Sequence, residues 1–104
     1  MILNVTQPIL DYDGEPARTS EGKAILLRSM IFQALDSMIP GQTMSVEDKE
    51  TSFRLSCQVM VKEKVELTVE DAAFITRRSG EVNPPLPHGR ICEAIAAASN
   101  PATQ

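Results

Sequence analysis

Aromatic side chains are scarce in this chain of 104 residues, which has one Tyr, three Phe and no Trp. With 42% apolar residues, its core must be built from Leu, Ile, Val, Met and Ala, enough for one domain of ordinary size. Positive charge is also short: ten Lys and Arg stand against fourteen Asp and Glu, for a net charge of −4. A surface that binds nucleic acid must displace counterions with clustered cations, so a DNA or RNA partner is excluded as an expectation. The basic residues are scattered, and Arg77-Arg78 is the one adjacent pair. No window approaches the roughly 20 apolar residues of a membrane span. Met1–Leu10 shows no positive region followed by a long apolar run, so no signal peptide is expected. The reading is a cytosolic protein, in which the sequon Asn4-Val5-Thr6 has no consequence.

Other shortages remove whole classes of chemistry. There is a single histidine, His88, and it lies in a proline-rich stretch away from any recognisable Ser or Cys elbow. Two cysteines, Cys57 and Cys92, lie 35 residues apart without C-x-x-C or H-x-x-x-H spacing, so a zinc site lacks its ligands. In a cytosolic chain they are expected to be reduced and buried, with a Cys57–Cys92 disulfide as the alternative. The five glycines are isolated, which excludes a phosphate-cradling loop. The stretch Asp11-Tyr-Asp-Gly-Glu-Pro16 begins like a calcium loop. Counted from Asp11, however, Gly14, Pro16 and Gly22 fall at positions 4, 6 and 12, where an EF-hand needs Gly at 6 and a bidentate Glu at 12. No catalytic residue, metal ligand or cofactor is expected, and the chain reads as a non-enzyme.

What is present is helical patterning. Asp13-Gly14 between short extended runs predicts a type I′ hairpin over residues 1–18, kept at a sheet edge by Pro8 and Pro16. Thr19-Ser20-Glu21 reads as a helix N-terminus opening the apolar run through Met38, which ends at Pro40-Gly41. Leu27, Met30, Ile31, Ala34, Leu35 and Met38 recur at helical spacing, and so apolar a helix should lie at the centre. Ser45 and Asp48 start a second helix in capping-box style, with Phe53, Cys57, Met60 and Val61 as its inner face and Leu55 and Val59 beside them. Val65–Leu67 is extended, and Thr68 with Asp71 caps a third helix that is expected to close at Gly80. Asn83-Pro-Pro-Leu-Pro-His88 should be an extended, stiff connector. A last helix would begin near Gly89 and end before a frayed tail at 100–104. No internal repeat is apparent.

Two features admit a functional reading. Glu70-Asp71 could do acid–base work, but carboxylates in a first helical turn are expected for capping. Arg77 and Arg78, at a helix end, could join His88 and Arg90 across the proline stretch as a cationic edge that meets an acidic partner. The competing reading is complementation of the helix dipole.

The stretches Ile9–Pro16 (ILDYDGEP) and Val65–Ile95 (VELTVEDAAFITRRSGEVNPPLPHGRICEAI) resemble a group of small uncharacterised proteins of tailed phages and prophages. The shared layout is a D-Y-x-G-x-P opening, an apolar helix, a V-E-L-[ST]-x-E-[ED] helix start, a proline-bearing loop and a terminal helix. RRSGEV and PPLPHGRI depart from it, where the group has a more apolar helix end and an aliphatic loop. The resemblance implies a phage origin and brings no activity and no site residue. The expectation is therefore one domain over residues 1–99, mostly α, with about four helices and a short N-terminal β-hairpin. It would act in the host bacterial cytoplasm by binding a host or phage protein or a copy of itself, with a virion structural or assembly role as the alternative.

Overall fold

The computed structural model describes residues 1–99. Its elements run β1 (Ile2–Asn4), α1 (Leu27–Asp36), α2 (Val46–Val61), β2 (Lys64–Glu66), α3 (Val69–Val82) and α4 (Pro85–Ser99). The mostly helical class with a short N-terminal hairpin is what the sequence predicted. The tail at 100–104 lies outside the described residues.

The hairpin turns on Gly14, and its geometry differs from a type I′ turn. The Asp11 N–H donates to the Glu15 carbonyl at 2.7 Å and Gly14 N–H to the Asp11 carbonyl at 3.1 Å, with Gly14 at φ +85°. This is a three-residue loop that ends on a left-handed residue, which glycine adopts without a Cβ penalty. Eight residues later the same turn recurs. Thr19 N–H donates to Lys23 O at 2.8 Å, Gly22 N–H donates to Thr19 O at 2.9 Å, and Gly22 sits at φ +87°. The side chains of Asp11 and Thr19 each accept from the amide four residues on. Residues 9–16 and 17–24 are thus an eight-residue repeat, ILDYDGEP and ARTSEGKA, which the expectation of no repeat missed. The corners close a ring: Ala17 donates to Ile9, Ile25 to Ala17 and Ile9 to Ile25, each at 2.8–2.9 Å.

That second turn takes the place of the expected helix start at Thr19-Ser20. α1 begins only at Leu27, and no side chain caps it. Instead the Leu27 and Arg28 N–H groups donate to the carbonyls of Gln7 and Val5. The turn that follows β1 supplies the acceptors that a capping residue would otherwise provide. α1 buries Leu27, Ile31, Ala34 and Leu35 and packs against all three other helices, so its central place is as predicted.

β1 pairs antiparallel with β2 in the register Leu3↔Val65, and both side chains are fully buried. Met1 and Leu67 extend the ladder by exchanging hydrogen bonds at 2.8 and 3.0 Å. The remaining core is aliphatic: Val5, Ile9, Leu55, Val59, Ile75 and Ile91 join the α1 residues.

α2 starts where predicted, with Ser45 Oγ accepting from the Asp48 N–H at 3.1 Å. Its inner face is different. Ser52, Leu55, Ser56 and Val59 are buried, whereas Phe53 is 72% and Val61 81% exposed. The two small serines, Ser52 and Ser56, also line the floor of the depression between α1 and α2.

α3 runs through Gly80 to Val82 and stops because Pro84 forces Asn83 out of the helical region, at ψ 148°. The expected connector is the first turn of α4, with Pro85 and Pro87 at positions whose N–H needs no partner within the helix.

Thr68 and Asp71 form the predicted reciprocal cap. Asp71 also accepts from Arg54 Nη2 at 2.8 Å, tying α3 to α2. The Arg54 hydrogen bond holds the Asp71 carboxyl below the ordinary 3.8; burial pulls the other way, and the Thr68 amide adds to the lowering. A carboxylate with a depressed folded pKa contributes stability that is complete above its unfolded value and lost as pH falls through its folded value. Asp71→Asn is therefore expected to cost about 1–2 kcal/mol at neutral pH, the lower part of the charged hydrogen-bond range because Arg54 is half exposed. Urea titrations of both proteins should converge as pH falls below 3.8. A gap that persists undiminished in acid would show that the carboxylate charge is not what stabilises the cap.

Candidate protein-contact surface

In the structure each of the four residues of the expected cationic edge has a polar partner within the chain. Arg77 is half exposed, pairs with Asp48 at 3.1 Å and Glu81 at 3.6 Å, and lies over the Phe74 ring at 5.1 Å. The Arg78 side chain is only 6% exposed. It meets Glu81 at 3.0 Å and donates to the Ser37 carbonyl at the C-terminal end of α1. There a cation faces the negative end of the α1 dipole, in a neighbouring helix rather than its own. Arg90 donates to the carbonyls of Leu10 and Asp11 at 2.8 and 2.5 Å and pairs with Glu93 at 2.8 Å, pinning the first hairpin to α4. His88 turns inward, with Nδ1 3.0 Å from the fully buried Ser79 hydroxyl. Each group is committed to an intramolecular partner.

Cys57 and Cys92 are free, but Cys57 is exposed and Cys92 partly buried where two buried thiols were expected. The Cys92 sulfur lies 3.5 Å from His88 Nε2 and 3.9 Å from Nδ1. Nearly equal distances place sulfur beside the ring rather than along the Nε2 lone pair, so the alignment of a nucleophile with its base is missing. Among the described residues no His, Cys, Asp or Glu cluster could hold a metal ion, and no helix is long and apolar enough to cross a membrane.

The surface that stands out is apolar. A groove of about 480 Å³ runs between α1, its exit loop and α2, lined by Phe32, Met38, Met44, Phe53, Cys57 and Met60, with Asp36 and Lys49 at its edge. Two of the three phenylalanines and three of the five methionines of the chain meet there. Phe53 is 72%, Met38 55% and Met60 43% exposed, and Val46 continues the stripe at 69%. Unbranched, polarisable methionines adapt to a partner's shape and are over-used at binding surfaces. A patch of this kind exceeds the scattered single apolar residues of an ordinary surface.

Met38, Phe53, Cys57 and Met60 of this surface were read in the sequence as inward-facing. Their helical spacing was recognised correctly, but a second stripe, Ser52-Leu55-Ser56-Val59, competes for the inside and wins. The legible signal was that Leu55 and Val59 stand four apart on a face of the helix separate from Phe53 and Met60, since only one face can meet the core. A second depression of about 830 Å³ lies between α3 and α4, floored by Ala72, Ala73 and Ala98 and edged by Met1, Val69 and Ser99. It is shallow and alanine-lined, and Ser99 is the last described residue.

No family model, curated protein or solved structure matches the chain.

Proposed function

We propose that this chain is a non-enzymatic binding protein whose contact surface is the methionine- and phenylalanine-lined groove of α1 and α2. The observation that carries the reading is the exposed stripe on α2. Large apolar side chains in water are unfavourable by roughly 25 cal/mol per Å², and a partner that covers them recovers that free energy. The proposal moves the contact surface away from Arg77, Arg78, His88 and Arg90, whose polar groups already have partners within the chain. The resemblance to tailed-phage and prophage proteins supports a phage gene product acting on a host or phage protein in the bacterial cytoplasm.

The test attaches a benzophenone photo-cross-linker to the exposed Cys57, in a Cys92→Ser background, and irradiates the protein in lysate of a bacterial host. A discrete protein adduct is expected, and Phe53→Glu should abolish it while leaving the helical circular dichroism unchanged. Adducts no more discrete than those from a cross-linker placed at exposed Ser20 would overturn the reading.

A further inference from the structure

Resting on that reading of the groove, we infer that its occupant is a second copy of this chain, with the two α2 helices packed antiparallel about Phe53. The exposed apolar residues of α2 are not merely on one side of the helix. Val46, Phe53 and Met60 recur at every seventh residue, 69%, 72% and 43% exposed. Residues seven apart on a helix lie within about 20° of one another, so the three form one nearly straight seam along α2, with Cys57 beside it between Phe53 and Met60. A straight seam of this kind fits a second helix laid along it at a shallow angle.

Three equally spaced apolar residues with the largest at the centre are self-complementary under a two-fold axis. With the axis at Phe53, Val46 of one copy meets Met60 of the other, Phe53 meets Phe53, and Met60 meets Val46. All three apolar layers are filled at once, over roughly 21 Å of helix at 1.5 Å per residue. Such an isologous contact is the commonest way two identical chains associate.

Charge decides the direction. The N-terminal turns of α2 carry Glu47, Asp48, Lys49 and Glu50, and its C-terminal end is followed by Lys62, Glu63 and Lys64. Asp48 is taken by Arg77. Among the described residues Glu47, Glu50, Lys62 and Lys64 form no ion pair within the chain. A parallel pair would align the helix dipoles and set like ends together. An antiparallel pair opposes the dipoles and brings the acidic end of each helix to the basic end of the other. The size fits a modest dimer. Val46, Phe53, Cys57, Met60 and Met38 expose on the order of 500 Å² per copy, close to the roughly 600 Å² each side of the smallest stable interfaces.

The experiment uses the whole chain. Light scattering after size exclusion should show a monomer–dimer equilibrium at about 10–100 μM, shifted to monomer at least tenfold by Phe53→Glu. In a Cys57→Ser, Cys92→Ser background, mixed Val46→Cys and Met60→Cys chains should form a disulfide dimer under mild oxidation. Each variant alone should give at most one tenth as much. Cross-linking within Val46→Cys alone would indicate a parallel pair and overturn the arrangement, as would a dimer insensitive to Phe53→Glu. A chain that stays monomeric at 100 μM while the Cys57 photo-cross-linker captures another protein overturns the self-pairing and leaves the contact surface standing. Monomer without capture overturns both.

Discussion

Replacing Arg78 with alanine is expected to cost the fold about 1.5–3 kcal/mol, the range for hydrogen bonds to a charged group, because Arg78 is buried while its partner Glu81 is one-third exposed. Native domains are stable by only about 5–15 kcal/mol, so the loss should be plain in an unfolding curve. The cause is positional. The Arg78 side chain is 6% exposed, and its guanidinium bridges Glu81 and the Ser37 carbonyl. Its loss leaves the end of α1 without a counter-charge and Glu81 held only by Arg77 at 3.6 Å. Arg78 Nε has no partner, so the site is imperfectly satisfied. Arg78→Met, which keeps the stem's packing and removes the charge, should therefore cost less than Arg78→Ala. Arg77→Ala should stay within about 1 kcal/mol, because its pairs are half exposed and screened. Guanidinium unfolding of the three variants checks the order. Equal costs for Arg77→Ala and Arg78→Ala would refute the buried bridge. In the sequence these neighbours are equivalent helix-end charges, and only the structure distinguishes them.

Leu55→Ala is expected to destabilise by about 2–5 kcal/mol, and Phe53→Ala, two residues away on the same helix, by less than about 1 kcal/mol. Leu55 is fully buried and its truncation leaves a cavity, whereas Phe53 is 72% exposed and its truncation leaves none. By residue size alone the order would be reversed. Thermal melts at a protein concentration low enough to keep the chain monomeric give the comparison directly. A larger loss for Phe53→Ala would mean that α2 is rotated and that the Met–Phe groove is core. The experiment thus tests the surface on which the binding proposal rests, without needing the partner.

These contrasts mark where the chain was readable. Ser45 with Asp48 and Thr68 with Asp71 announced two helix starts, because capping is a bond between residues three apart and needs nothing else. Gly14 announced its turn for the same reason. Gly22 carried the same signal and was overridden by Thr19-Ser20-Glu21, which serves equally as a helix cap or a turn. The eight-residue spacing between the two glycines was the clue that separated the readings. The prolines at 85 and 87 were read as breakers because a proline's prohibition on helix applies to the interior and lapses in the first turn.

The candidate surface was legible as residues and not as a surface. Composition and local hydrogen bonding determined the aliphatic core, the helix count, the caps of α2 and α3, the first turn and the absence of a recognisable metal-ligand or catalytic motif, since each depends on residue type or on neighbours within four positions. Only the tertiary structure decided that β1 pairs with a strand more than 60 residues away. It also decided that the carbonyls of Val5 and Gln7 start α1, that Arg78 and not Arg77 is buried, and which face of α2 turns inward. Those outcomes turn on packing. Leu55 and Val59 fill the core from one face of α2, and a helix can turn only one face to a core, so Phe53 and Met60 on another face are left at the surface.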